Sequence, residues 1–256
     1  MPYGPDIPKV EREIFAKPPL KAMLGQIRFP PILRIADLGS LGPLQDAIRA
    51  EFPTFAQEQQ VAVMVGPGGP QNPVSSRAFR FSTSDAAWSV GLAPDSVTLE
   101  ADVTVRYSSY EEFAERFRLV WAAIVDHFAP SQVVRQGLRY VSHIECDRAA
   151  VNWTDLINSD LLGPLVGAFG EGVAQSVSEL RFPREDGVLV FKHGLVPLGP
   201  EAKMGYLLDF DYFNEEPEND ASVDALAERF ERFHEFIYSF FRWCVTDQAL
   251  EEFRAI

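Results

Sequence analysis

Cysteine is scarce, with only Cys146 and Cys244 in 256 residues. Cys146 ends a strand-like run and Cys244 sits inside an apolar helical pattern, so no secreted disulfide framework is expected. A reduced, cytoplasmic protein fits this usage. Long apolar runs are missing too. No stretch approaches the roughly 20 residues needed to span a bilayer, and no basic-then-apolar leader opens the chain, so neither export nor a membrane partner is expected. Basic residues are outnumbered, 23 Lys and Arg against 37 Asp and Glu, giving a net charge of −14. That field repels phosphate backbones and anionic membranes, which argues against nucleic acid and suits either plain solubility or a basic partner.

Catalytic signatures are equally thin. There is no G-x-S-x-G elbow, and neither cysteine has a local activating context. The run VGPGGP (65–70) lacks the Lys-Ser/Thr ending and following helix of a phosphate loop, and its prolines remove amide donors, so it reads as a hairpin loop. None of the four histidines, His127, His143, His193 and His234, has zinc-type spacing with another His or Cys. No cofactor and no metal are expected.

What is present is a large, aromatic-rich core: 46% hydrophobic residues, including 20 Phe. Only the first residues, MPYGPDIPKVERE, have the proline-rich polar composition of a disordered arm. Periodicity then predicts a strand at 20–29, a helix at 41–52, strands at 59–65, 76–82, 87–93 and 96–105, and a long helix. Ser109 and Glu112 have capping-box spacing at that helix's start, and Phe113, Phe117, Val120, Trp121, Ile124 and Phe128 form its apolar stripe. The second half predicts a strand at 134–145 and a helix near 153–166 with Leu156, Ile157, Leu161 and Leu165 inward. Strands at 173–182, 187–196 and 204–213 follow, then a last long helix from Ser222. That helix is crowded with aromatics, and Phe236 falls off its main stripe, which points to burial on a second side or to a partner contact.

The halves share this element order. Ile27-Arg28-Phe29 resembles Leu138-Arg139-Tyr140, Phe79-Arg80-Phe81 resembles Leu180-Arg181-Phe182, and Leu99-Glu100-Ala101-Asp102 resembles Leu208-Asp209-Phe210-Asp211, all at a similar interval of roughly 105 residues. The expected fold is therefore α+β: a tandem pseudo-repeat of β-α-β(3-4)-α, with an antiparallel sheet and two long helices on one face. Without βαβ alternation a doubly wound sheet is disfavoured. The element order is similar to TATA-binding-protein-like and helix-grip folds, an analogy that carries no function. The expected organisation is an arm (1–17), a first unit (18–130) and a second unit (131–256), both within one continuous domain.

Four segments, PPLKAMLGQIRFPP, GLRYVSHI, LLDFDYF and the closing FHEFIYSFFRWCVT, resemble a sporadically distributed prokaryotic family of uncharacterised proteins, from about Pro18 to the C-terminus. That resemblance implies the fold but brings no activity and no catalytic residues.

Candidate chemistry lies on the strands. Residues two apart share a face, so Asp209 with Asp211, and Glu100 with Asp102, project opposite their apolar neighbours. Arg28, Arg80, Arg139 and Arg181 each sit between apolar residues and should point the same way. Both copies thus offer arginines and carboxylates on the helix-free face, as a partner-binding surface or as a solvated ladder of opposite charges. His143 shares a strand face with Glu145, and His193 lies on the next hairpin, from where either histidine could meet Asp209 or Asp211. His127 and His234 read as packed histidines of the long helices. The leading expectation is a non-enzymatic protein-binding or regulatory module of adaptor, immunity or antitoxin type, including self-association, acting through the open sheet face. The alternatives are a metal-assisted hydrolase centred on Asp209, Asp211 and His143, or a carrier of a small apolar ligand between sheet and helices.

Overall fold

The computed structural model describes residues 7–62, 65–66, 69–70, 74–106, 109–146, 152–166, 170–198, 203–218 and 220–254. In chain order its elements are β1 (Leu20–Arg28), α1 (Gly42–Ile48), β2 (Thr54–Ala62), β3 (Val65–Gly66), β4 (Gly69–Pro70), β5 (Val74–Ser82), β6 (Trp88–Ala93), β7 (Ser96–Asp102), α2 (Tyr110–Phe128), β8 (Arg135–Cys146), β9 (Ser176–Arg184), β10 (Gly187–Leu198), β11 (Lys203–Asn214), α3 (Val223–Cys244) and α4 (Asp247–Arg254). Among the described residues nine strands form one open antiparallel sheet in the order β2-β5-β6-β7-β1-β8-β11-β10-β9, so β2 and β9 are its edges there. The fold is α+β, as the sequence predicts. The pair β3 and β4 makes a minimal hairpin within the glycine-rich run, the rest of which lies outside the described residues. Among the described residues no helix is long and apolar enough to cross a membrane.

The chain divides into two compact units. Unit 1 comprises Met1–Met23, Leu138–Asn214 and Phe230–Ile256; unit 2 comprises Leu24–Gly137 and Glu215–Arg229. The division passes through β1, β8 and α3.

In unit 2, alternate residues of each strand are buried: Phe79 and Phe81, Trp88, Val90 and Leu92, then Val97, Leu99 and Ala101. They face the stripe of α2, where Phe113 lies 6.5 Å from Trp88 between ring centroids. Ser109 caps α2 by accepting from the Glu112 amide at 3.3 Å. The expected return bond of a capping box is replaced, because the Glu112 carboxylate goes to Arg106 and Arg116. Ala129, in left-handed conformation at φ 47°, and Pro130 end the helix.

Unit 1 packs an aromatic layer between its strands and α3. Phe191 stacks on Phe210 at 4.7 Å and meets Phe240 at 4.9 Å, while Tyr212 stacks on Phe233 at 4.3 Å. Cys244 is buried at the end of this layer, which pushes its thiol pKa well up. At Gly194, with φ 143°, a Cβ would fall on the Ser176 carbonyl, so only glycine lets β9 approach β10 there.

Two expectations change in this unit. The predicted helix at 153–166 is instead a series of 3-10 turns over Trp153–Asp155, Ser159–Leu161 and Gly163–Val166. Asn152 and Asn158 each accept from the amide two residues on and start a new turn, and Gly163 at φ 45° before Pro164 blocks continuation. Leu156, Ile157 and Leu162 still reach the core.

The described part of the polar N-terminal segment is anchored rather than loose. Lys9 pairs with Glu235 at 2.7 Å, the Glu13 amide donates to Tyr238 Oη at 2.8 Å, and the Glu13 carboxylate accepts from Arg254 and Arg242. Phe15 is buried between Phe241 and Phe253, at 6.4 and 5.9 Å. The aromatic crowding of α3 is thereby explained: the helix is buried on two sides, the second covered by residues 9–17 and α4.

Candidate functional site

Strand parity sorts the side chains of unit 1. Leu138, Tyr140 and Ile144 of β8, with Tyr206, Leu208, Phe210 and Tyr212 of β11, are buried toward α3. Arg139, His143, Asp209 and Asp211 consequently share the opposite face. There Arg139 clamps Asp209 with two bonds, Nε to Oδ1 and Nη2 to Oδ2, each 2.8 Å. Asp209 is only 5% exposed, whereas the Arg139 side chain is 47% exposed. The Asp209 hydrogen bond raises the Arg139 pKa against the opposing effect of burial, and the charge of Asp211 adds to it.

Asp209 stands in register with Lys192 of β10, and Lys192 with Glu179 of β9. Lys192 reaches Glu179 at 3.1 Å. Arg139, Asp209, Lys192 and Glu179 thus form one row of alternating sign across four strands. Beside it, Asp211 and Arg181 both flank Val190, and the Arg181 guanidinium lies 5.7 Å from the Phe213 ring centroid. His143 is half-buried; burial and then the charge of Lys21 push its pKa down, against Glu145 and Asp209. Lys21 itself pairs with Glu145 at 2.8 Å.

Unit 2 carries a second row. Arg80 donates to Glu58 and to Ser89 Oγ, both at 2.7 Å, and lies 3.6 Å from Glu100. Two predicted residues do not join it. Asp102 is the last residue of its strand and turns back to accept from the Thr104 amide at 2.9 Å, capping the turn after β7. Arg28 pairs with Asp95 at the β6–β7 turn, at 3.2 Å.

His193 also departs from expectation. It has the parity of Phe191, on which it stacks at 4.9 Å, so it is buried on the α3 side, away from Asp209 and Asp211. Its Nδ1 is 2.9 Å from Tyr206 Oη, which donates to the Leu161 carbonyl at 3.0 Å. The histidine is therefore the donor in its own bond. His234 is buried as predicted, with Nδ1 2.7 Å from Tyr140 Oη, and burial pushes its pKa down to about 3. Among the described residues no group of three or more His, Cys, Asp or Glu side chains is placed to hold a metal ion.

One feature of unit 1 escapes sequence reasoning. A cleft of about 210 Å³ opens beside the β9–β10 turn, lined by Lys9, Arg184, Asp186, Tyr212, Arg232 and Phe236 among others. The Arg184 guanidinium lies 3.8 Å over the Phe236 ring, and Tyr212 donates to Asp186. Its residues come from segments remote in sequence, and its only prior sign is the off-stripe position of Phe236. No protein-family model and no curated protein matches the chain, so its functional reading rests on this side-chain geometry.

Proposed function

We propose that the protein is a non-enzymatic binding module, of adaptor, immunity or antitoxin type, that presents the open face of unit 1 to a protein partner. The observation that carries this reading is the clamp of Arg139 on Asp209. A half-exposed guanidinium held by a buried carboxylate keeps little freedom to lose on binding, and Arg is a preferred anchor at interfaces. Arg139 Nη1 has no hydrogen-bond partner among the described residues. The net charge of −14 favours a basic partner by long-range steering.

A duplicated architecture of TATA-binding-protein-like or helix-grip order supports the same reading. Outward from the middle of the sheet, the strand order runs β1-β7-β6-β5 on one side and β8-β11-β10-β9 on the other, the same succession of corresponding strands. Glu100 and its counterpart Asp209 both pair with an arginine, although the arginine comes from β5 in one case and β8 in the other. A metal-assisted hydrolase has weaker support, since both Asp209 oxygens already accept from Arg139. An apolar carrier has weaker support because Phe191, Phe210 and Phe240 fill the layer it would use.

The test is affinity capture from the host lysate with tagged wild type and the double variant Arg139→Gln/Asp209→Asn, which keeps a neutral hydrogen bond. A protein retained by the wild type and lost by the double variant, at matched thermal stability, is the expected result. Equal retention by both would remove Arg139 from the contact.

A further inference from the structure

The edge strand β9 is open along its length: every residue from Val177 to Arg181 is exposed, with Val177 at 44% and Leu180 at 40%. Pro183 stands opposite Val188 in the ladder with β10. Having no N–H, proline is tolerated in a sheet where that position points to solvent. Backbone groups alternate along an antiparallel ladder. Residues of the same parity, Val177, Glu179 and Arg181, therefore direct N–H and C=O outward, while their even-numbered neighbours bond to β10.

We propose that β9 pairs antiparallel with β9 of a second copy of this chain, about a two-fold axis at Leu180. In that register Glu179 faces Arg181 of the partner subunit, and Arg181 faces Glu179 of the partner subunit. All four direct their backbone groups at each other, and the Val177 amide meets the carbonyl of Pro183 of the partner subunit. The ladder holds roughly six backbone hydrogen bonds. Leu180 packs on Leu180 of the partner subunit, covering the exposed apolar side chain.

Charge selects this register. Sliding by two residues about the axis centres the pair on Glu179 or on Arg181 and sets like charges face to face. Sliding by one sets outward groups against inward ones. Charged residues and proline guard natural edges against indiscriminate pairing; here they disfavour the neighbouring registers and favour a self-complementary one, the form a two-fold interface requires. The inference stands apart from what the open face binds, and a monomer that still captures its partner would leave that reading intact.

Sedimentation velocity at tens of micromolar tests it with charge reversal. Wild type is expected to be a dimer. Glu179→Arg and Arg181→Glu each replace two attractive cross-pairs with repulsive ones and should weaken association by about tenfold or more. An equimolar mixture of these two variants should recover the dimer, because each supplies the charge the other lacks. That recovery separates the interface from any local effect of losing the Glu179–Lys192 pair, which both the lone variant and the mixture share. If a reversal fails to fold, the neutral variants Glu179→Gln and Arg181→Gln should weaken association by a smaller factor. A wild type that stays monomeric, or a dimer indifferent to these substitutions (as one built through β2 would be), overturns the proposal.

Discussion

Asp209 owes its place to Arg139. A carboxylate 5% exposed is stable only while its oxygens are bonded, so the single and double changes at this pair should differ. Arg139→Ala leaves Asp209 unsatisfied and should cost about 2 kcal/mol, the partial exposure of the arginine keeping it below a fully buried pair. Arg139→Gln/Asp209→Asn should cost less, and urea denaturation of both variants measures the difference. His234 carries a prediction of its own, about pH. Its pKa of about 3 in the folded protein lies below the ordinary value of 6.5, so below about pH 6.5 the unfolded chain takes up a proton that the folded one refuses. Stability therefore falls as pH drops from about 6.5 toward 3, by about 1.4 kcal/mol per pH unit for this one group. His193, its pKa also lowered by burial, has the same sign. His234→Gln, which can still bond Tyr140, should flatten the decline seen in denaturation midpoints between pH 7 and pH 5.

At the scale of elements, what is legible follows a single period within each helix or strand. The stripe of α2, the inner face of α3 and the pairing of Asp209 with Asp211 on one strand face all read directly from residue spacing. The segment 153–166 did not, because its leucines fit a helix while Asn152, Asn158 and Gly163 act through local hydrogen bonds and φ. Asp102 has the right parity but serves the turn, a choice made by Thr104 two residues on. The cleft beside the β9–β10 turn depends on contacts between remote segments, which no window of sequence contains. The anchoring of the described N-terminal residues is hidden for a related reason: their charges match partners on α3 and α4 about 230 residues away. Phe15→Ala should accordingly destabilise the protein by about 3 kcal/mol, as for a buried phenylalanine in any core. Thermal melting together with increased dye binding at the exposed Phe241–Phe253 surface would show it.

For the whole molecule, unit 1 is assembled from three separate stretches of the chain. Unit 1 recruits Met1–Met23 in addition to its share of the second half. A fragment spanning 131–256 lacks Glu13, Phe15 and the first strand's opening residues, and it should fail to give dispersed amide resonances by itself. Adding a peptide of residues 7–28 should restore them in part, whereas a fully folded fragment would contradict the assignment. The same recruitment bears on synthesis. Residues 9–17 leave the ribosome well before their partners on α3 and α4, which follow about 230 residues later. At roughly 5–20 residues per second that delay is on the order of ten to fifty seconds. Through that interval Phe15 lacks Phe241 and Phe253, so a chain stalled before α3 carries an uncovered phenylalanine that chaperones and proteases can recognise.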